Sequence, residues 1–211
     1  MVYGAILGRA YLSKFEPETL CYCLSEDEER LLDIYWPASP SAEPLPVIVW
    51  FHGGAWKMGN RKAIERIAAE QLAQGFALVS ISYSLSDVAH WPVQSHEAKA
   101  AIRYLRANAD TLGLNSDMLI AAGMSAGGHM ACMLGVSAEH EQLNGQLGEH
   151  LDQSNQVQGV LALYPPTDFL AVLKDFDGLL DYYAEDSPVT ALLGESIATA
   201  PQKSDLASPL K

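Results

Sequence analysis

No run of the 211 residues approaches the ~20 apolar residues that a membrane-spanning helix needs. The start, Met1-Val2-Tyr3-Gly4-Ala5-Ile6, lacks the basic region and long apolar stretch of a secretory signal, so a cytoplasmic location is expected. Basic residues are scarce: 13 Lys and Arg face 26 Asp and Glu, a formal net charge of −13. That balance argues against nucleic acid and anionic membrane as partners and favours solubility. Cysteines are few and odd in number (Cys21, Cys23 and Cys132), which argues against a disulfide framework. No second Cys/His pair joins Cys21-Tyr22-Cys23 to complete a metal site. On a strand those two thiols are expected to pack on one shared face, and Cys132 reads as a buried helix residue. Histidine is missing from the last part of the chain: His52, His90, His96, His129, His140 and His150 are all there are.

What is present is a core. Hydrophobic residues make up 49% of the chain, enough for one domain over residues 1–211. Strands are expected at Glu29–Trp36, Val47–Phe51, Phe76–Tyr83, 118–122 and Gln156–Tyr164. Of these, Val47-Ile48-Val49-Trp50-Phe51 is the continuous apolar run of a strand buried on both faces. Ile64, Ile67, Ala68 and Leu72 recur at helical spacing before Gly75, and Ala98, Ala101, Ile102 and Leu105 mark a second amphipathic helix after Pro92. Strands alternating with helices imply an α/β fold with a mainly parallel sheet.

Two motifs carry chemistry. Gly123-Met124-Ser125-Ala126-Gly127 follows the strand 118–122 and precedes the helix-compatible run His129–Leu134. G-x-S-x-G in that context is a strand-to-helix elbow that leaves the serine hydroxyl exposed above the sheet. His52-Gly53-Gly54-Ala55-Trp56 follows the strand 47–51. Glycines there let backbone N–H groups turn toward a carbonyl oxygen and, with the amide after the nucleophile, hold the oxyanion of an acyl-transfer intermediate. A Gly-Gly turn after a strand is also common by itself. Trp56, Trp91 and Tyr164 are candidate walls of an acyl or aromatic pocket, or else core. Asp175-Phe176-Asp177-Gly178 is like a metal loop only superficially, because no later Glu completes it. No metal and no organic cofactor is expected.

With both motifs, the chain resembles the α/β-hydrolase esterases nearly end to end. The resemblance rests on Leu32–Pro37, HGGAW at 52–56, Tyr83-Ser84-Leu85 with Trp91-Pro92, GMSAGGHMA at 123–131, Tyr164–Asp168, Leu192-Leu193-Gly194 and Ala207–Leu210. It is nearest to small-ester hydrolases related to bacterial feruloyl and acetyl-xylan esterases, with arylformamidases close by. It implies Ser125 as nucleophile and the N–H groups of Gly54, Ala55 and Ala126 as oxyanion hole. It further implies a lid or cap-like region over 165–211. Two positions depart from the family's pattern: Ala55 replaces the third glycine, keeping its N–H, and Glu97 replaces an aspartate.

The family's acid and histidine come after the nucleophile, in that order. By the resemblance both would follow Lys211, so the domain is expected to be incomplete, lacking the last two sheet strands. His129 should lie along its helix rather than above Ser125. Asp168 is the one alternative acid, against its reading as a helix N-cap. The expectation is a serine carboxylic-ester hydrolase for small acyl or aromatic esters, crippled without its acid and base. An arylformamidase or other amidase with the same machinery, and a non-catalytic remnant or interaction module, are the alternatives. A small-molecule ester is the expected partner. The interrupted sheet edge is expected to self-associate or to take up a complementary C-terminal tail.

Overall fold

A single sheet organises the chain in its computed structural model, which describes residues 2–39, 41–171 and 187–211. Among the described residues its six strands are β1 (Glu18–Ser25), β2 (Glu28–Tyr35), β3 (Leu45–Phe51), β4 (Ala77–Ile81), β5 (Leu114–Met124) and β6 (Gly159–Leu163), in the order β1-β2-β4-β3-β5-β6. β1 and β2 form an antiparallel hairpin, with Glu26 and Asp27 both at positive φ, as a type I′ turn requires. β2 meets β4 antiparallel, and β4, β3, β5 and β6 then run parallel. The sheet is therefore mixed and mostly parallel, as expected for this fold.

Helices cover both faces. Among the described residues they are α1 (Val2–Leu12), α2 (Arg66–Ala69, continuing as a 3-10 turn over Glu70–Gln74), α3 (Val93–Ala107), α4 (Ala109–Leu112), α5 (Ala126–Val136), α6 (Glu141–Asn144), α7 (Pro188–Leu193) and α8 (Pro201–Leu206). The alternation of side chains along β3 divides the core in two. Val47, Val49 and Phe51 join the cluster that includes Ala101, Ile102, Met130 and Leu134 of α3 and α5. Ile48 and Trp50 join Leu12, Ala68 and Leu72 on the opposite face. This two-sided burial is why β3 is apolar throughout. Among the described residues no helix is long and apolar enough to cross a membrane.

Three local expectations differ from the structure. Cys21 and Cys23 do not share a face: a β-bulge between them shifts the register, leaving Cys21 exposed and turning Tyr22 and Cys23 both inward. Burial pushes the Cys23 thiol up to about 12, which keeps it protonated. Ile67 is exposed, because the helix it was assigned to is a single α-turn that tightens to 3-10 geometry and loses the 3.6-residue repeat. The helix α1 was not expected at all.

The described part of 165–211 docks on the α3/α5 face. Trp91 N–H donates to Leu192 O (2.8 Å), Leu210 N–H to Thr167 O (3.1 Å) and Phe169 N–H to Ser208 Oγ (3.1 Å). The Asp175–Gly178 loop lies outside the described residues. At the far side of the sheet β6 pairs only with β5 and, among the described residues, forms the sheet edge.

Candidate active site

β5 ends at Met124, α5 begins at Ala126, and Ser125 is the hinge between them, with φ 52° and ψ −122°. Few non-glycine residues adopt such a backbone, which costs on the order of 1–3 kcal/mol and persists only where the surroundings over-determine it. Here the surroundings do. Ser125 N–H donates to Leu163 O at the end of β6 (2.9 Å), and Ser125 O accepts the His129 N–H (2.9 Å) as the first turn of α5 closes. A Cβ on Gly123 would stand 2.3 Å from Gly127 O, and one on Gly127 would stand 2.0 Å from Phe51 O. Both glycines of the motif are thus required by backbone contact between the elbow and β3.

The segment after β3 lies beside this elbow: a Cβ placed on Gly53 would be 3.7 Å from the Ser125 Cβ. Gly54, Ala55 and Trp56 follow at φ 126°, 54° and 56°, so three consecutive residues take left-handed backbone. Gly54 O accepts from both Lys57 and Met58 N–H (3.0 and 3.1 Å), and a Cβ on Gly54 would collide with Met58 O at 2.0 Å. The N–H groups of Gly54, Ala55 and Ala126 have no hydrogen-bond acceptor among the described residues. Ser125 is partly exposed, and no hydrogen bond to its hydroxyl is found among the described residues.

All six histidines are placed, and among the described residues none of their ring nitrogens bonds Ser125. His52 Nδ1 donates to Gly53 O (2.8 Å), and burial pulls the ring down to about 4, so it is neutral. His129 is fully buried and likewise pulled down to about 4 by desolvation; its Nε2 bonds Ala207 O at 2.7 Å. A carbonyl only accepts, so that nitrogen carries the proton and the buried Nδ1 is left without a partner. His90 Nδ1 bonds Ala191 O (3.0 Å) and His96 Nε2 bonds Gln142 O (2.9 Å). His140 is exposed, and the His150 ring lies 6.0 Å from Tyr104.

The aromatic candidates divide. Trp56 and Trp91 are buried (3% and 1% exposed) and close with Phe169 around the His129 ring, at centroid distances of 5.2 to 5.4 Å from it. They are core rather than an open wall, because the apolar cluster over α5 needs their bulk. Tyr164 is 63% exposed, at φ 40°, directly after the residue that accepts the Ser125 amide. Asp168 behaves as a cap. Its Oδ1 accepts the Leu170 and Ala171 N–H groups (3.0 and 3.1 Å), while Oδ2 pairs with Lys211 (3.0 Å). The Lys211 ammonium, with those two amides, holds its carboxyl below the usual carboxylate range.

Sequence reasoning missed the placement of Glu97, which is buried and bonded to Ser84, whose neighbours Tyr83 and Ser86 bond His52 O and Trp56 O. The available signal was a lone acid in register with Ala101 and Leu105 on the buried face of α3. One cavity of about 430 Å³, bounded by residues including Cys21, Tyr104 and His150, contains no residue of the elbow. Among the described residues no group of three His, Cys, Asp or Glu could hold a metal.

Known proteins are similar to this chain in sequence and fold. The profile of the BD-FAE family matches residues 32–211. Esterase LipC of Mycobacterium tuberculosis is 33% identical over 170 residues, covering 80% of this chain and 40% of that protein. Carboxylesterase NlhH of the same organism is 31% identical over 102 residues, covering 48% of this chain and 32% of its own length. Among solved structures, a truncated carbohydrate esterase from gut microbiota superposes with a TM-score of 0.78 at 27% identity, over 92% of this chain and 71% of that one. A bifunctional GH43-CE protein of Bacteroides eggerthii superposes with a TM-score of 0.76 at 31% identity, over 90% of this chain and 28% of that one. The chain therefore spans less than half the length of these two curated relatives.

Proposed function

The chain belongs to the BD-FAE family of α/β-hydrolase esterases, and from that premise we propose that Ser125 is the nucleophile of a carboxylic-ester hydrolase for small acyl or aromatic esters. The observation that carries this reading is the Ser125 backbone at φ 52°, ψ −122°, beside N–H groups with no acceptor among the described residues. In this reading an ester carbonyl meets both the Ser125 hydroxyl and the amides of Gly54, Ala55 and Ala126. Ser125 Oγ bonds to the carbonyl carbon, and the amides hold the developing oxyanion. The alkoxide leaves with a proton, and water then releases the acid from the acyl-serine.

The proton carrier in this reading is a histidine supplied from outside residues 1–211. By themselves, these residues then hydrolyse short p-nitrophenyl esters weakly, with the ~10³–10⁴-fold advantage over water that oxyanion binding leaves when a triad member is missing. The histidine placements also favour a second reading, a non-catalytic interaction module. A fluorophosphonate probe separates the two: slow phosphonylation that maps to Ser125 and vanishes in Ser125→Ala supports the hydrolase. No Ser125 adduct under prolonged exposure overturns it. A parallel panel of p-nitrophenyl esters and N-formylkynurenine distinguishes ester from formamide preference.

A further inference from the structure

We propose that Glu97 is the positioning residue of the oxyanion segment, acting through Ser84 and Tyr83 on His52; the inference rests on the hydrolase reading and extends it beyond the residues that touch substrate. The three consecutive left-handed residues 54–56 need external restraint. Much of that restraint comes from one short stretch after β4. Tyr83 Oη donates to His52 O (2.8 Å), the Tyr83 and His52 rings stack at 4.3 Å and 10°, and Ser86 N–H donates to Trp56 O (2.8 Å).

That stretch is itself held by α3. Ser84 offers three polar groups, and α3 takes all of them. Glu97 accepts the Ser84 N–H and Oγ–H, both at 2.6 Å, and Gln94 Nε2 donates to Ser84 O (3.2 Å) and to Ala89 O (2.7 Å). The Glu97 side chain has no exposure, and its charge is met by Arg30 Nε of β2 at 2.8 Å. Three donors from two elements thus converge on one buried carboxylate. Only an anion with acceptors on both oxygens satisfies them. An amide at this place turns a donor NH₂ toward another donor, which breaks the contact to Ser84 or the one to Arg30. The oxyanion segment therefore inherits its geometry from a charge on the neighbouring helix.

Glu97→Gln and Tyr83→Phe test this in the purified protein. Tyr83→Phe removes only the bond to His52 O and leaves the Glu97 contacts in place, so it remains informative if Glu97→Gln folds poorly. Two readouts are taken well below the melting temperature. The first is the downfield ¹⁵N–¹H signal of the His52 ring, whose Nδ1–H donates to Gly53 O. Both variants should shift or broaden it. The second is the fluorophosphonate rate at Ser125, expected to fall about 10–100-fold, less than the 10²–10³ lost with an oxyanion donor outright. An unmoved His52 signal in both variants overturns the inference, even if Glu97→Gln melts earlier. So does a labelling rate equal to wild type in both. A wild-type protein that takes no label at Ser125 sinks the hydrolase reading instead, and the His52 signal still decides whether Glu97 sets this segment.

Discussion

Replacing Gly127 by alanine tests the contact that shapes the elbow. The added Cβ would stand 2.0 Å from Phe51 O and 2.6 Å from both Phe51 C and His52 O. Ordinary contact begins near 3.4 Å, so α5 and β3 must separate by about 1.4 Å. Neither can yield cheaply. β3 is the central parallel strand, paired on both sides, and α5 is pinned through Ser125 N–H to Leu163 O. Overpacking typically costs about 1–3 kcal/mol, and the upper end applies because the obstructing atoms are backbone and cannot rotate away. Alanine recovers about 1 kcal/mol through its helix propensity. The net loss is about 2 kcal/mol or more, a melting-temperature fall of about 4–8 °C in a domain of this size. Gly159→Ala is the control. Its nearest neighbours are Ile120 side-chain atoms at 3.7 Å, so it should match or slightly exceed wild type. Calorimetry or circular-dichroism melts read both variants. A Gly127→Ala protein that melts with the Gly159→Ala control would refute the close approach of elbow and β3.

Asp168→Asn should leave both stability and Ser125 labelling within about twofold of wild type, because asparagine caps a helix as well as aspartate does. A loss of several orders of magnitude at unchanged melting temperature would instead make Asp168 the triad acid. Stability should fall on acidification. His52 and His129 are held neutral with values near 4 against an ordinary 6.5, so between those limits the unfolded chain binds the extra protons and stability rises with pH. The loss by pH 5 is about 2 kcal/mol per ring, and equal urea midpoints at pH 7 and pH 5 would contradict it. β6 exposes Val160 and Leu161 (41% and 44%) and forms, among the described residues, the edge of the sheet. Residues 1–211 prepared alone should associate there, with a second copy or with an added complementary tail. A monodisperse monomer by light scattering at micromolar concentration would refute this.

The elbow, the strands on either side of it and the alternation of sheet and helix were legible because each depends on local chemistry. An apolar five-residue run cannot be an exposed strand, and glycines two residues before and after a serine mark a turn where backbones touch. Tertiary structure decided what depends on contacts distant in sequence. The bulge that separates Cys21 from Cys23 arises from pairing with β2, and the burial of Trp56 and Trp91 arises from Phe169 closing over His129. Glu97 shows the division most clearly. In the sequence it is the lone acid of its helix, in register with Ala101 and Leu105. Only the fold brings Arg30 and Ser84 to its two oxygens, and a buried charge is tolerated only where such partners arrive together.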